Sequence, residues 1–176
     1  MMKTLYLVRH GETLFNIQNK IQGWCDSPLT ENGVAQAKKL GDFFKNISLD
    51  HAYSSTSERC CDTTELILQN RLGYQRVKAL KEQNYGVFEG EPEYLSPKAP
   101  KDFETFFLPY GGESSNEVGQ RMLKCLTKIM AKPDNNQVLA VSHSGACFNF
   151  LRMLQDPTEE LAKGCLLYTS DAADDM

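Results

Sequence analysis

Lys3-Thr4-Leu5-Tyr6-Leu7-Val8 runs without a break into Arg9-His10-Gly11-Glu12-Thr13, and the change of texture after Val8 sets the reading of the whole chain. The first six residues are rich in leucine, aromatic and β-branched side chains and read as a buried strand. The next five are polar and carry a glycine, as expected where a strand opens into a turn. The most strand-like run, Gln137-Val138-Leu139-Ala140-Val141, has the same anatomy and ends in Ser142-His143-Ser144-Gly145. His51-Ala52-Tyr53-Ser54-Ser55 reads as the end of a second strand, and Arg76-Val77-Lys78-Ala79-Leu80 as a short third.

Helices are predicted between these strands. Thr30 is a plausible N-cap for a helix to Phe44, with Val34, Ala37, Leu40 and Phe44 at helical spacing. A second runs from about Ser57 to Leu72, where Gly73 stops it. Ser114 or Ser115 caps a third, which runs to about Ala131 with Val118, Met122, Cys125, Leu126 and Ile129 on one face. The last covers about Ala146–Leu154. Alternating strands and helices imply βαβ units, a mostly parallel sheet and helices on both faces. Ligands of such sheets bind at the carboxyl ends of the strands, where His10 and His143 fall.

The chain has 176 residues, 41% of them apolar and 24% charged, which suits one globular domain. Nineteen basic against 23 acidic residues leave a net charge of −4, which argues against a nucleic-acid or membrane-surface binder. No run reaches membrane-spanning length and no long apolar leader opens the chain, so the expectation is a cytoplasmic protein. The six cysteines form no C-x-x-C pair and there are three histidines, so structural-zinc spacing is absent and reduced thiols are expected. Residues 91–112, with Pro92, Pro97, Pro100 and Pro109, read as a lid or substrate insertion within a domain spanning 1–164. Residues 165–176 begin CLLYTSDAADD, which resembles the translation of a transposase-type sequencing adaptor; they are expected to be non-native, and without Asp171, Asp174 and Asp175 the net charge becomes −1.

An Arg-His pair at a strand end sets an imidazole beside a permanent cation whose planar fork suits phosphate. A neutral histidine can attack phosphorus and form a phosphohistidine. Arg9 and His10 are joined by Arg59, expected in the first turn of a helix, by His143, and by Glu82 after the third strand. Two histidines, two arginines and a glutamate at several strand ends make a pocket.

With Gln22-Gly23, Asp26-Ser27-Pro28-Leu29-Thr30, Gly33, Gln36-Ala37, Ser54-Ser55, Phe88-Glu89-Gly90 and Gly112-Glu113-Ser114 in the same order, the chain resembles the histidine phosphatase (phosphoglycerate mutase-like) superfamily over about residues 3–155. The resemblance implies an α/β/α sandwich and a phosphohistidine intermediate, with no metal and no cofactor. It makes His10 the nucleophile, Arg9, Arg59 and a protonated His143 the phosphate clamp, and Glu82 the proton donor. Asn16, Gln22 and Gly23 become substrate-binding positions. Glu12 and Glu113 are expected to orient clamp residues, and Trp24 to wall the pocket mouth.

The activity expected is a metal-independent phosphomonoesterase acting on small phosphorylated metabolites, as a monomer or homodimer. The alternative is a phosphoglycerate mutase dependent on 2,3-bisphosphoglycerate. A mutase retains its bisphosphorylated intermediate under a basic lid, whereas Lys98 and Lys101 are the only basic residues of 91–112. The complete set His10, Arg9, Arg59, Glu82 and His143 argues against a phosphate-binding pseudoenzyme.

Overall fold

The computed structural model of the chain describes residues 2–154 and the backbone of 165–168. It is an α/β fold built on β1 (Thr4–Arg9), β2 (His51–Ser54), β3 (Tyr74–Arg76), β4 (Gln137–Ser142) and β5 (Cys165–Tyr168). The helices are α1 (Leu14–Ile17), α2 (Glu31–Phe44), α3 (Glu58–Leu68), α4 (Ser115–Met130) and α5 (Ser144–Leu154). The sheet order is β3-β2-β4-β1-β5, and every pairing is parallel.

Strand alternation divides the apolar residues between two cores. Leu5 and Leu7 of β1, Tyr53 of β2 and Val138 and Ala140 of β4 face Val118, Met122 and Leu126 of α4 and Ala146 and Phe150 of α5. Val8, Ala52, Leu139 and Val141 face the other way, onto Leu40 and Phe44 of α2 and Ile67 and Leu68 of α3. Each fully buried Leu or Phe contributes about 1.5–3 kcal/mol. The two-faced packing follows from connection handedness. Helices α2 and α3 belong to steps toward β3, α4 and α5 to steps back, and right-handed crossovers place the two sets on opposite faces.

Three boundaries differ from the sequence expectation. Helix α3 ends at Leu68, because Gln69 and Asn70 turn left-handed at φ 50° and 62°. Arg71 then folds back and donates to the carbonyls of Ile67 and Leu68, and to that of Phe44 at the end of α2. The third strand is shorter and earlier than expected, Tyr74–Arg76, followed by a 3₁₀ turn at Lys78–Leu80. Strand β2 stops at Ser54, whose carbonyl accepts from Val77, so residues beyond Val77 have no strand to pair with. Helix α5 starts at Ser144, two residues early. Strand β5 lies along β1, Leu5 opposite Cys165, so the sequence boundary drawn at Gly164 falls directly before a strand of the sheet. The remainder of the tail, 169–176, lies outside the described residues.

Candidate active site

Parallel register brings the two buried histidines together. Arg9 is opposite Ser142, so the next residue on each strand, His10 and His143, leaves the sheet at the same level. The His10 N–H donates to the Ser142 carbonyl at 3.1 Å, and the two rings meet edge-on with centroids 5.2 Å apart. Gly11 permits the turn that follows: a Cβ there would stand 2.4 Å from the Gly33 carbonyl oxygen at the start of α2.

Arg59, in the first turn of α3, reaches between the histidines with its side chain 1% exposed. Its Nε donates to His10 Nε2 at 3.2 Å and its Nη2 to His143 Nδ1 at 2.9 Å. The remaining N–H groups go to the carbonyls of Gly23 and Cys25 and to Asp26 Oδ1, each at 2.8–2.9 Å. Asp26 Oδ2 also accepts from the Glu58 N–H at the start of α3, an end that Ser57 leaves without a side-chain cap. Asp26 thus orients both the guanidinium and the helix that carries it.

These partners define the imidazole tautomers. A guanidinium only donates, so His10 Nε2 presents a lone pair. A carbonyl only accepts, so His10 Nδ1 carries the hydrogen that bonds Gly11 O at 2.7 Å. Burial and the charges of Arg59 and Arg9 hold the His10 pKa well below its ordinary value, and the ring is neutral. His143 likewise accepts at Nδ1 and donates from Nε2 to Ser55 Oγ at 2.8 Å. Burial, Arg59 and His10 push its pKa well down as well. In the ligand-free site the ring is therefore neutral and the positive charge comes from the arginines.

Arg9 is half-buried and its charge is felt at His10. Among the described residues no acceptor is hydrogen-bonded to its guanidinium, which leaves it able to take an anion. Asn16 uses Oδ1 in the capping box of α1 with Thr13, while its amide N–H₂ has no partner among the described residues. Gln22 is bonded within the fold: Nε2 donates to Thr13 Oγ1 at 3.0 Å and Oε1 accepts from Ser27 at 2.8 Å. Gly23 contributes a carbonyl to Arg59 from a left-handed turn at φ 58°; a Cβ there would meet Glu89 Oε1 at 2.5 Å.

Glu82 is buried on the same side. Its Oε2 accepts the Gly145 N–H of α5 at 3.0 Å, and its Oε1 accepts the Gln83 N–H at 2.8 Å. Trp24 donates from Nε1 to the Glu82 carbonyl at 2.9 Å, with Lys81 Nζ 4.6 Å above its ring. Glu89 joins two loops by accepting the N–H groups of Trp24, Cys25 and Tyr85. Glu12 does not orient the clamp; it bonds Thr30 and Asn32 and secures the start of α2.

The structure therefore gathers His10, Arg9, Arg59, His143 and Glu82 and gives Gln22 a bracing contact. Sequence reasoning assigned no task to Asp26, Ser55 or Glu89. Asp26 and Glu89 lie in quoted motif runs, but their bonds go largely to backbone N–H groups, which leave no mark in a sequence. Cys60 packs under His143 with Sγ 3.4 Å from Nε2, and burial pushes its thiol pKa up, so it is no ready nucleophile. Among the described residues no helix is long and apolar enough to cross a membrane.

A buried, neutral histidine whose Nε2 lone pair faces the Arg59 guanidinium, beside a second histidine and a second arginine, has the chemistry that phosphoryl transfer requires. The chain matches the histidine phosphatase superfamily (branch 1) over residues 5–168 and belongs to that family. It is 34% identical over 177 residues to a protein of Proteus mirabilis named "Probable phosphoglycerate mutase GpmB", covering 96% of this chain and 74% of that protein. Among solved structures it resembles Bacillus stearothermophilus YhfR, with TM-score 0.79 and 33% identity over 88% of this chain and 80% of the other. It also resembles the alpha-ribazole phosphatase from Shigella flexneri, with TM-score 0.74 and 26% identity over 90% and 83%. The chain is a histidine phosphatase superfamily enzyme with a phosphoglycerate mutase-like fold, a phosphatase or a mutase.

Proposed function

We propose that the protein is a metal-independent phosphomonoesterase that hydrolyses small phosphorylated metabolites through a phosphohistidine. The observation that carries this reading is the His10 tautomer. Its Nε2 lone pair forms the N–P bond as the P–O ester bond breaks, and the positive charge growing on the ring is met by the Gly11 carbonyl at Nδ1. Arg9, and the Arg59 N–H groups released from the histidines, bind the phosphoryl oxygens. Glu82, entering as the acid, gives its proton to the departing alkoxide. As carboxylate it then takes a proton from the water that attacks phosphorus, and the N–P bond breaks with its electron pair returning to Nε2.

Hydrolysis is favoured over mutase action by the insertion. Residues 91–112 carry Glu91, Glu93, Asp102 and Glu104 against Lys98 and Lys101, and a net negative lid repels a bisphosphorylated intermediate. Phe106 and Phe107 from this segment pack on Phe88 with centroids 5.3 and 5.7 Å away, so the segment is anchored by rings rather than by cations.

The test is rapid quenching with a radiolabelled phosphoester. An acid-labile phosphoenzyme is expected in the wild type, with label and turnover both absent in His10→Ala. Activity is expected to be unchanged by EDTA. Substantial turnover by His10→Ala would overturn the covalent mechanism. Conversion of 3-phosphoglycerate to its isomer in the presence of 2,3-bisphosphoglycerate, without release of inorganic phosphate, would make the enzyme a mutase.

A further inference from the structure

The segment that delivers Glu82 is held from outside the reaction centre. Arg121, two turns into α4, donates from Nη1 to the carbonyls of Ala79 at 2.9 Å and Lys81 at 2.7 Å, and from Nη2 to that of Glu82 at 2.7 Å. Its Nε and Nη2 grip the two oxygens of Glu113, both at 2.9 Å. The fourth carbonyl of the segment, that of Leu80, accepts from Ser142 Oγ at 2.8 Å, next to His143. Every carbonyl from Ala79 to Glu82 is therefore tied down, three of them converging on one cation. Converging carbonyl dipoles repel one another unless a positive charge sits among them.

Glu113 holds the other end. Its Oε2 accepts the Asn84 N–H at 2.9 Å, its own N–H donates to the Asn84 carbonyl at 2.8 Å, and its carbonyl accepts from Gln83 Nε2 at 2.8 Å. The Glu82 carboxyl leaves the middle of this run and meets Gly145 of α5.

We propose that the Arg121–Glu113 ion pair is the positioning device of the proton donor, setting the backbone of residues 79–84 so that the Glu82 carboxyl stands at the leaving-group side of His10; this rests on Glu82 being that donor. Neither side chain acts on substrate. A lysine at 121 cannot replace the pair, because one ammonium with three N–H groups cannot span five bonds that fan out across a planar fork.

The experiment compares kcat/KM on an alkyl phosphate, whose alkoxide needs a proton, with that on p-nitrophenyl phosphate, whose phenolate does not. Glu113→Gln is expected to lose about 10- to 100-fold on the alkyl phosphate and about threefold or less on p-nitrophenyl phosphate. Glu113→Asp, which keeps the charge, recovers part of that loss. Added to Glu82→Gln, Glu113→Gln costs nothing further on the alkyl phosphate, since the group it positions is already disabled. Arg121→Lys follows the same pattern if it folds, and Glu113→Gln carries the test if it does not. Equal losses on both substrates, or additive losses in the double variant, would overturn the positioning role while Glu82→Gln still discriminates between substrates. If Glu82→Gln itself loses equally on both, the proton-donor assignment fails and the positioning role goes with it.

Discussion

Arg59 and Arg121 each have all five N–H groups bonded within the protein, yet the two sites are built for opposite purposes. Two of the acceptors around Arg59 are imidazole nitrogens, His10 Nε2 and His143 Nδ1. These are neutral lone pairs, weaker partners for a guanidinium than a phosphoryl dianion would be, because charge-assisted hydrogen bonds are about twice as strong as neutral ones. Arg121 instead faces a carboxylate in two-point contact and three backbone carbonyls, with no exchangeable member. On the proposed mechanism one guanidinium is released to the phosphoryl group while the other stays fixed. A count of bonds does not separate them; the chemistry of the acceptors does.

The comparison breaks most severely at Arg59. Arg59→Lys removes the fork that spans both histidines, and kcat/KM on p-nitrophenyl phosphate is expected to fall about 10²- to 10³-fold. Retention of a large share of activity in steady-state assays would mean that Arg9 alone clamps the phosphoryl group.

Arg121→Lys should show the reverse balance. Carbonyls lose their donors and Glu113 loses its two-point partner, so urea unfolding should report a loss of about 1–3 kcal/mol. Activity on p-nitrophenyl phosphate should persist. If Arg121→Lys matched Arg59→Lys in lost turnover, the distinction between the two sites would collapse.

Acidification probes the histidines around Arg59. His10 and His143 have lowered pKa values when folded, so the unfolded chain binds more protons once pH falls below the ordinary histidine value of about 6.5. The stability tied to their neutral forms is complete above that pH and is lost as pH falls toward the folded values. Urea midpoints at pH 7.5 and 5.5 should therefore drop on acidification, and less so in His143→Gln. An equal drop in that variant would assign the pH dependence to other groups.

The smallest effect is expected at His51, whose Nε2 lies 3.1 Å from Asp134 Oδ2 at the surface. Both side chains are solvated, and His51→Gln should leave the urea midpoint and turnover unchanged. A measurable change at pH 7.5 would show that a third histidine is coupled to the fold.

The strand ends that make the site could be read from the chain because hydrophobic alternation and the abrupt switch to Arg9-His10-Gly11 and to Ser142-His143-Ser144 are local signals. The helices starting at Thr30 and Ser114 were equally legible, since their capping residues stand beside the first helical turn. The third strand misled, because Arg76–Leu80 has strand-like texture while its pairing depends on where β2 ends, a fact held elsewhere in the chain. The ligand-free tautomer of His143 was hidden for a related reason: its Nδ1 partner is a guanidinium from a distant helix, which can only donate.

The sequence alone determined the alternating α/β order, the two strand-end histidines and the set of groups able to handle phosphate, because side-chain type and spacing encode these directly. Only the tertiary structure decided how those groups work together. The parallel register that sets His10 beside His143, the tautomers imposed by Arg59, and the convergence of the Ala79, Lys81 and Glu82 carbonyls on Arg121 all depend on which chain atoms meet in space. Many of those atoms are backbone N–H and C=O groups. Nearly every residue carries the same ones, so no sequence pattern marks which of them will be bound.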